Sequence, residues 1–293
     1  MLTGLITAAF GRHYEITLAD NRIVNGIPRG KKSPYACGDQ VTLGPLHDSE
    51  TQILGHAPRS SLLYRSDQWK QKLIAANATQ IVLVVATEPG FSTALISRAL
   101  VAARHQNMQA LIVLNKTDLP CHLPTARAQL APFAALGIPI LELSALTDTT
   151  ALAPLLTAHL SVLVGQSGMG KSTLTNTLIP EAGAATREIS TALDSGKHTT
   201  THARLYRLSG GGALIDSPGL QEFGLAHLSR GEIELGFAEF SHHLGQCRFR
   251  DCRHANEPDC AIKNAVTSGA IDHNRLAHFT AITTEGDRAK TFP

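Results

Sequence analysis

The sequence predicts an α/β protein of three parts: an N-terminal β-barrel, a central parallel sheet covered by helices, and a C-terminal metal-binding segment. Three observations lead to this prediction. Residues 1–62 contain short β-type stretches separated by turns, residues 63–226 alternate apolar strands with helical patterns, and residues 227–293 contain clustered cysteines and histidines. Alternating strands and helices are typical of a parallel sheet with helices on both faces. A length of 293 residues also favours two or three domains.

The overall composition argues against several classes of protein. Hydrophobic residues make up 43% of the chain and charged residues 17%, which allows an ample core. No apolar run approaches the ~20 residues that a membrane-spanning helix requires. The N-terminus shows no basic segment followed by an apolar block, so no secretory signal is expected. The formal net charge of +2 is too small to indicate nucleic-acid binding by itself. We therefore expect a cytoplasmic protein without membrane association.

The first part of the chain is the predicted barrel, and its length suits an OB-fold. Residues 1–35 contain five basic side chains and two acidic ones. This excess, together with Phe10 and Tyr14, could contact RNA phosphates and bases. A solvated surface with core aromatic residues explains the same pattern and is the preferred interpretation. The predicted strands are Leu2–Phe10, Tyr14–Leu18, Arg22–Ile27 and Val41–Leu43.

The strongest motif is a glycine-rich loop between an apolar strand and a helical pattern. Leu160–Val164 predicts a buried strand, and Thr173–Leu178 is apolar at helical spacing. The loop between them follows the pattern G-x-x-x-x-G-K-[ST], in which backbone N–H groups surround a phosphate. The residues predicted to bind the nucleotide phosphates are Gly165, Gln166, Ser167, Gly168, Met169, Gly170, Lys171, Ser172 and Thr173.

Two side chains of this loop have predicted roles in chemistry. Lys171 is expected to reach the β- and γ-phosphates and to contribute to catalysis. The hydroxyl of Ser172 is expected to ligate Mg²⁺. The alternative is an ordinary glycine-rich turn with one exposed lysine. The loop predicts a nucleotide but does not identify the base.

Two other loops of the same sheet indicate guanine. The strand Ala110–Leu114 precedes an N-K-x-D sequence, and the strand Ile138–Leu143 precedes a Ser-Ala pair. The carboxylate of Asp118 can accept both N–H groups of guanine, whereas adenine offers an acceptor at N1 and no amino group at C2. The sequence therefore predicts GTP. The residues predicted to bind the base, or to join its loop to the phosphate loop, are Asn115, Lys116, Thr117, Asp118, Ser144 and Ala145.

A D-x-x-G sequence follows the strand Ala213–Ile215. Asp216 is expected to support the Mg²⁺ ion without binding it directly, and the backbone N–H of Gly219 is expected to contact the γ-phosphate. The residue after Gly219 is Leu220, where many GTPases place a glutamine that orients the attacking water.

The polar segment Gly196–Thr201 is expected to carry the remaining catalytic groups. Thr200 is the predicted Mg²⁺-ligating threonine, and this loop is expected to become ordered only with GTP. His198 is the candidate for orienting or deprotonating the water that Leu220 cannot bind. The alternative is that His198 is an ordinary solvent-exposed histidine.

The order of these motifs is unusual. In ordinary GTPases the phosphate loop precedes the base-binding loops, whereas here the loops of Asn115 and Ser144 come first. The same sheet forms from either order if the old ends are joined and a new cut opens at a surface connection. The sequence therefore predicts a circularly permuted P-loop GTPase domain whose D-x-x-G segment leads directly into the C-terminal part.

The C-terminal part contains three cysteines and a histidine with C-x₄-C-x-H-x₅-C spacing. This set fits a single tetrahedral structural zinc site. The alternatives are a reduced, metal-free cluster, or His242 or His243 as the fourth ligand. Nearby arginines are candidates for contact with RNA phosphates, namely Arg248, Arg250 and Arg253. The predicted zinc ligands are Cys247, Cys252, His254 and Cys260.

These motifs, in this order, resemble those of the ribosome small-subunit-dependent GTPase A family of bacteria. The resemblance covers nearly the whole chain. It implies an N-terminal OB-fold, a mainly helical zinc-binding domain at the C-terminus, and GTP hydrolysis to GDP stimulated by the small (30S) ribosomal subunit. It also implies a role in late maturation of that subunit and contact with its 16S rRNA. We further expect a monomer.

Two other functions remain open at this stage. One is a GTP-dependent metal chaperone that hands on the metal of the C-terminal cluster. A site closed by four ligands makes delivery less favourable, because a delivery site needs an exchangeable position. The other is a module that binds GTP without hydrolysing it.

Overall fold

The computed structural model describes residues 2–30, 34–67, 70–180, 182, 203–217 and 225–291. The predicted site residues His198, Thr200 and Gly219 lie outside these ranges, as does Leu220.

The N-terminal strands close into a barrel. They follow the order β1-β2-β3-β5-β4, and β4 pairs back onto β1. The pair β3–β5 is parallel and the other pairs are antiparallel. Alternate side chains point inward to a core that includes Ile6, Ile16 and Ile53, which confirms the predicted OB-like barrel. The strands are β1 (Leu2–Phe10), β2 (His13–Leu18), β3 (Ile23–Pro28), β4 (Gln40–Leu43) and β5 (Glu50–His56).

An antiparallel hairpin that the sequence analysis missed connects the barrel to the central sheet. It consists of β6 (Leu62–Asp67) and β7 (Lys70–Ala76). The backbone N–H of Ala76 donates to the carbonyl of Cys37 at 2.9 Å. The side chain of Asn77 donates to the carbonyl of Gly38, also at 2.9 Å. The hairpin is thus attached to the barrel as well as to the sheet.

The central sheet has the order β10-β9-β8-β11-β13-β12. Its first five strands are parallel, as predicted, but β12 runs antiparallel to β13. The outer edge of β12 pairs with β1 of the barrel, so the two sheets are continuous. The strands are β8 (Gln80–Ala86), β9 (Gln109–Asn115), β10 (Ile140–Glu142), β11 (Leu160–Val164), β12 (Ala203–Arg207) and β13 (Ala213–Asp216).

Helices of the central part follow their strands as the pattern predicts. Helix α3 has only four residues, because Thr157 leaves the helical conformation and Ala158 has φ +66°. The helices are α1 (Thr93–His105), α2 (Leu123–Ala135), α3 (Ala153–Leu156) and α4 (Lys171–Leu178).

The C-terminal part is helical and packs on α1. Gly236 lies so close to α1 that an added Cβ would be 2.8 Å from the side chain of Val101. Phe237, Phe240 and Phe279 are fully buried there, with the rings of Phe237 and Phe240 stacked at 5.0 Å. Among the described residues, no helix is both long and apolar enough to cross a bilayer. The helices are α5 (Arg230–Gly236), α6 (Ala261–Thr267) and α7 (His273–Thr291), with a 3-10 turn at Ala238–Phe240.

Candidate nucleotide site and metal centre

The predicted base and phosphate loops meet at one edge of the central sheet. Strands β8, β9, β11 and β13 are parallel, so their carboxyl ends lie at the same edge. Asn115 ends β9, Gly165 follows β11, and Asp216 ends β13. Such an edge is where open α/β sheets bind ligands.

A single buried amide joins three of these loops. Asn115, only 2% exposed, donates from Nδ2 to the carbonyl of Met169 in the phosphate loop at 2.9 Å. Its Oδ1 accepts from the backbone N–H of Lys116 at 2.8 Å and from that of Ala145 at 2.9 Å. Gly170 has φ +89°, and an added Cβ would lie 2.3 Å from Asn115 Nδ2. The close approach of these loops therefore requires glycine at that position.

Further bonds fix the loop that carries Asp118. The ammonium of Lys116 donates to the carbonyl of Glu88 at 2.8 Å. The carbonyl of Lys116 accepts from the hydroxyl of Thr87, also at 2.8 Å. The backbone N–H of Thr117 bonds the carbonyl of Leu143 at 3.3 Å. Asp118 itself is exposed, so its carboxylate is available to a ligand.

The Ser-Ala loop holds a polar atom that the protein leaves unsatisfied. The hydroxyl of Ser144 is buried and has no hydrogen-bond partner among the residues that the structure describes. Ala145 is also buried, next to the amide of Asn115. Buried hydroxyls normally have a partner, so this one is consistent with a ligand or an ordered water at the base site.

The phosphate loop has the tight conformation that its glycines predict. Gly165 has φ +155°, and an added Cβ would lie 2.2 Å from the carbonyl oxygen of Val84. The ammonium of Lys171 lies within the loop, where it donates to the carbonyls of Gly165 at 2.5 Å and Gln166 at 2.7 Å. Burial lowers the pKa of Lys171, and the nearby carboxylate of Asp216 opposes this shift. A half-buried cation is thus held where the motif places the phosphates.

Two oxygen-bearing side chains near this lysine, those of Asp216 and Ser172, are candidates for supporting a magnesium ion. Burial raises the pKa of Asp216, although the attraction of Lys171 acts in the opposite direction. Ser172 is exposed in the first turn of α4. Hydroxyl and carboxylate oxygens are the donors that Mg²⁺ prefers. The donor set therefore fits that ion.

The loop between β8 and α1 also contacts the phosphate loop, which sequence analysis did not foresee. The backbone N–H of Ser92 donates to Oε1 of Gln166 at 2.7 Å. An added Cβ on Gly168 would lie 3.2 Å from the ring of Pro89. These residues follow no spacing rule of nucleotide motifs, so the sequence carries no signal for the contact.

All four predicted zinc ligands come together. Their ligand atoms lie within 4.8 Å of one another, and His242 and His243 do not belong to the group. Nδ1 of His254 is 3.3 Å from the sulfur of Cys260 and 3.7 Å from that of Cys247. Three thiols and one imidazole, largely buried, suit a structural zinc ion.

A carboxylate supports the histidine of this cluster. Nε2 of His254 lies 3.5 Å from Glu234 on α5, and hydrogen bonding to Glu234 raises the pKa of His254. A carboxylate in this position would orient a metal-binding imidazole, and the opposite nitrogen, Nδ1, lies near the sulfurs of Cys247 and Cys260. Sequence analysis missed Glu234 because it precedes the first cysteine by more than one turn of helix.

The comparisons with known proteins agree with this architecture. A family profile described as RsgA GTPase matches residues 56–226. The chain is similar to small ribosomal subunit biogenesis GTPase RsgA of Burkholderia pseudomallei, with 51% identity over 97% of this chain and 92% of the relative. It is also similar to the protein of the same name from Neisseria meningitidis, with 49% identity and the same coverage.

Two solved structures share the fold. YjeQ from Thermotoga maritima matches with a TM-score of 0.73 and 27% identity over 97% of this chain and 98% of that one. YloQ, described as a circularly permuted GTPase, matches with a TM-score of 0.70 and 26% identity over 100% of this chain and 96% of that one. The permuted order predicted from the motifs is thereby confirmed. The chain belongs to the RsgA GTPase family.

Proposed function

We propose that this protein binds GTP at the edge of the central sheet, hydrolyses it to GDP, and acts in the biogenesis of the small ribosomal subunit. The observation that carries the proposal is the amide of Asn115, which bonds Met169 of the phosphate loop and Ala145 of the base loop. One side chain thus sets the distance between the part that binds phosphate and the part that selects the base. The role in subunit biogenesis rests on the names of the relatives.

Asp118 is proposed to select guanine. Its exposed carboxylate follows a loop fixed by Lys116 and Thr117. A carboxylate accepts both N–H groups on the edge of guanine, whereas adenine would leave it unpaired. The backbone N–H of Ala145 already donates to Asn115, whereas the buried hydroxyl of Ser144 has no partner among the described residues and could contact the base.

Lys171 and the backbone of the phosphate loop are proposed to bind the phosphate groups of GTP. To reach the β- and γ-phosphates, the ammonium exchanges the carbonyls of Gly165 and Gln166 for phosphate oxygens. Ser172 and Thr200 would hold Mg²⁺, supported by Asp216, and the ion would neutralise charge on the phosphates. Gly219 is proposed to contact the γ-phosphate through its N–H.

The group that positions water is proposed to be His198. Leu220 cannot hydrogen-bond to water, so turnover by the isolated protein is expected to be slow. The 30S subunit, through contacts that include its 16S rRNA, is proposed to stimulate hydrolysis. Stimulation by a partner is compatible with a monomeric, cytoplasmic protein, which we also propose.

The remaining proposals concern the C-terminal cluster and the domain limits. Zinc, held by Cys247, Cys252, His254 and Cys260, would stabilise the fold of the C-terminal part. The proposed domains are residues 1–62, 63–226 and 227–293. The buried, four-ligand cluster favours this structural role over metal delivery.

The test is GTP turnover by the purified protein with and without purified small subunits, with ATP as a parallel substrate. We expect slow hydrolysis of GTP alone, at least tens-fold acceleration by small subunits, and no hydrolysis of ATP. Large subunits serve as the control partner. Equal rates with and without small subunits would contradict the proposed partner. Tight GTP binding with no hydrolysis under either condition would identify a binding module instead.

A further inference from the structure

A buried ion pair lies where the C-terminal part packs on α1. The side chains of Arg275 and Glu239 are 3% and 7% exposed, and their closest atoms, Nε and Oε1, are 2.6 Å apart. Nη1 of Arg275 donates to the hydroxyl of Ser97 on α1 at 2.6 Å. The guanidinium also lies over the rings of Phe237, at 4.4 Å, and Phe133, at 5.4 Å.

Stability alone is a weak reason for such a pair. Removing two charges from water is costly, and apolar side chains of similar volume often replace a buried ion pair without loss of stability. What an ion pair supplies is a defined geometry, because a guanidinium fork bonds only in fixed directions. Here those directions connect the 3-10 turn, α7 and α1.

A second set of bonds holds the same turns of α1. Nδ1 of His278 on α7 lies 2.8 Å from the hydroxyl of Ser97, and its Nε2 lies 3.4 Å from the hydroxyl of Thr93. Burial, followed by the charge of Arg275, lowers the pKa of His278, which keeps the ring neutral. A neutral ring can accept at one nitrogen and donate at the other. The hydroxyl of Ser97 accepts from Arg275 and donates to the carbonyl of Thr93 at 3.1 Å, so the neutral ring of His278 can donate to it from Nδ1 and accept from Thr93 at Nε2.

The N-terminus of α1 contacts the phosphate loop. Ser92 is the N-cap of α1, with its hydroxyl accepting from the backbone N–H of Leu95 at 3.4 Å. The backbone N–H of the same serine donates to Gln166 at 2.7 Å. At about 1.5 Å per residue, Ser92 and Ser97 are roughly 7.5 Å apart along the helix axis. The network and the phosphate loop thus hold the same short stretch of rigid helix.

We propose that Arg275 and Glu239 are positioning residues of the nucleotide site. By holding Ser97 they set the position of α1, and through Ser92 and Gln166 they set the conformation of the phosphate loop. The C-terminal part is then a support of the nucleotide site through described residues of α1, besides its covalent connection through the D-x-x-G segment. This inference rests on the proposed function, since it assumes that the loop binds a guanine nucleotide.

The test is the dissociation rate of a fluorescent GDP analogue from the full-length protein with Mg²⁺. Arg275→Gln is expected to release the nucleotide about 5- to 10-fold faster, with zinc content unchanged. Ser97→Ala is a milder second variant, which removes one hydroxyl from the network, and about 3-fold faster release is expected. Arg98→Gln is the matched control, because Arg98 pairs with Glu285 across the same interface but outside the buried network. Its release rate is expected to equal that of the wild type.

A double-mutant cycle separates positioning from general loosening of the fold. Gln166→Ala removes the side chain through which α1 contacts the phosphate loop. If the route is correct, Ser97→Ala adds little further effect in the Gln166→Ala background. Full additivity, or an unchanged rate in both Arg275→Gln and Ser97→Ala, overturns the inference while wild-type binding upholds the proposed nucleotide site. Absence of GDP binding by the wild type overturns both.

Discussion

The nucleotide site and the zinc cluster are built in opposite ways. The nucleotide site joins loops that are far apart in sequence, and bonds within the protein, such as those of Asn115 to Met169 and Ala145, hold them in place. The four residues of the cluster lie between Cys247 and Cys260, on a segment with little regular structure. The first site is therefore preorganised by the sheet, whereas we expect the second to depend on the proposed zinc ion.

The side chains that build the two sites lead to the same distinction. Burial raises the pKa of the Cys252 thiol to about 12, whereas at Cys260 burial is outweighed by hydrogen bonds from the backbone of Lys263 and from His254, which lower the pKa of that thiol. Cysteine sulfurs are weak hydrogen-bonding groups and would by themselves hold this segment together poorly. By contrast, the amide of Asn115 satisfies both its donor and its acceptor with backbone groups. Removing zinc should therefore disrupt the cluster, whereas removing the nucleotide should leave the loops of the nucleotide site in place.

The largest expected effect is the loss of bound zinc when a cysteine of the cluster is replaced. Wild-type protein should carry about one zinc per chain, and Cys260→Ser should carry almost none. Metal binding of this kind contributes roughly 10 kcal/mol or more to folding of a small domain, so the C-terminal helices should lose structure. Elemental analysis and far-UV circular dichroism measure the two results.

Cys121→Ser is the matched control for the metal prediction, because Cys121 is exposed and lies outside the cluster. Its zinc content and its spectrum should match those of the wild type. If freshly prepared, reduced wild-type protein contained no zinc, the cluster would not be a zinc site and the prediction would be wrong.

The next largest effect is on base selection. Asp118→Asn should weaken GTP binding by about 100-fold and shift the preference toward xanthosine triphosphate, whose C2 carbonyl can accept from the new amide. Competition binding with both nucleotides gives the two affinities. Asp20→Asn, at an exposed turn of the barrel, should change neither. Unchanged GTP affinity in Asp118→Asn would show that this loop does not bind the base.

The sequence predicted those parts of the fold that depend on local pattern. The bounds of β11 match the predicted strand Leu160–Val164, since this apolar strand is buried on two faces. The hairpin β6–β7 was missed, because its charged and polar residues interrupt the apolar alternation. Strand β5 was missed because only Thr51 and Ile53 are buried in it.

The site shows the same limit. Motif spacing predicted the phosphate loop, the base loops and the four cysteine and histidine residues of the cluster. It did not predict the contact of Ser92 with Gln166, or the pair of Arg275 and Glu239. These contacts join residues far apart in sequence through the docking of α1, and a lone buried arginine has no recognisable spacing. Tertiary packing alone brings them together.

A third prediction concerns His198, the proposed water-positioning residue. His198→Ala should retain GTP binding and association with small subunits but lose most of the stimulated turnover. The expected loss is about 2–3 kcal/mol of transition-state stabilisation, or roughly 30- to 150-fold in rate. Single-turnover hydrolysis with saturating small subunits measures it. Full stimulation in this variant would assign the water-positioning group to the ribosome instead.

The smallest expected effect concerns stability, and it tests whether the charged carboxylate of Asp216 destabilises the folded protein. Burial raises the pKa of Asp216, so folding at neutral pH forces a carboxylate into a site that favours the protonated acid. Asp216→Asn should therefore stabilise the nucleotide-free protein at pH 7, while abolishing Mg²⁺-dependent hydrolysis. Because the folded-state pKa is the higher one, this advantage should shrink as the pH falls through it toward the ordinary value of an aspartate.

Asp148 is a control of opposite sign for this last prediction. Hydrogen bonds from the side chain and backbone of Thr150 lower its pKa, so its charged form is favoured in the folded protein. Asp148→Asn should leave the protein no more stable than the wild type at pH 7. Thermal unfolding of both variants and the wild type from about pH 8 down to about pH 4, close to the ordinary pKa of an aspartate, decides the matter. Destabilisation by Asp216→Asn would show that the attraction of Lys171 outweighs burial, and that the nucleotide site, like the zinc cluster, depends on a bound charge of its own.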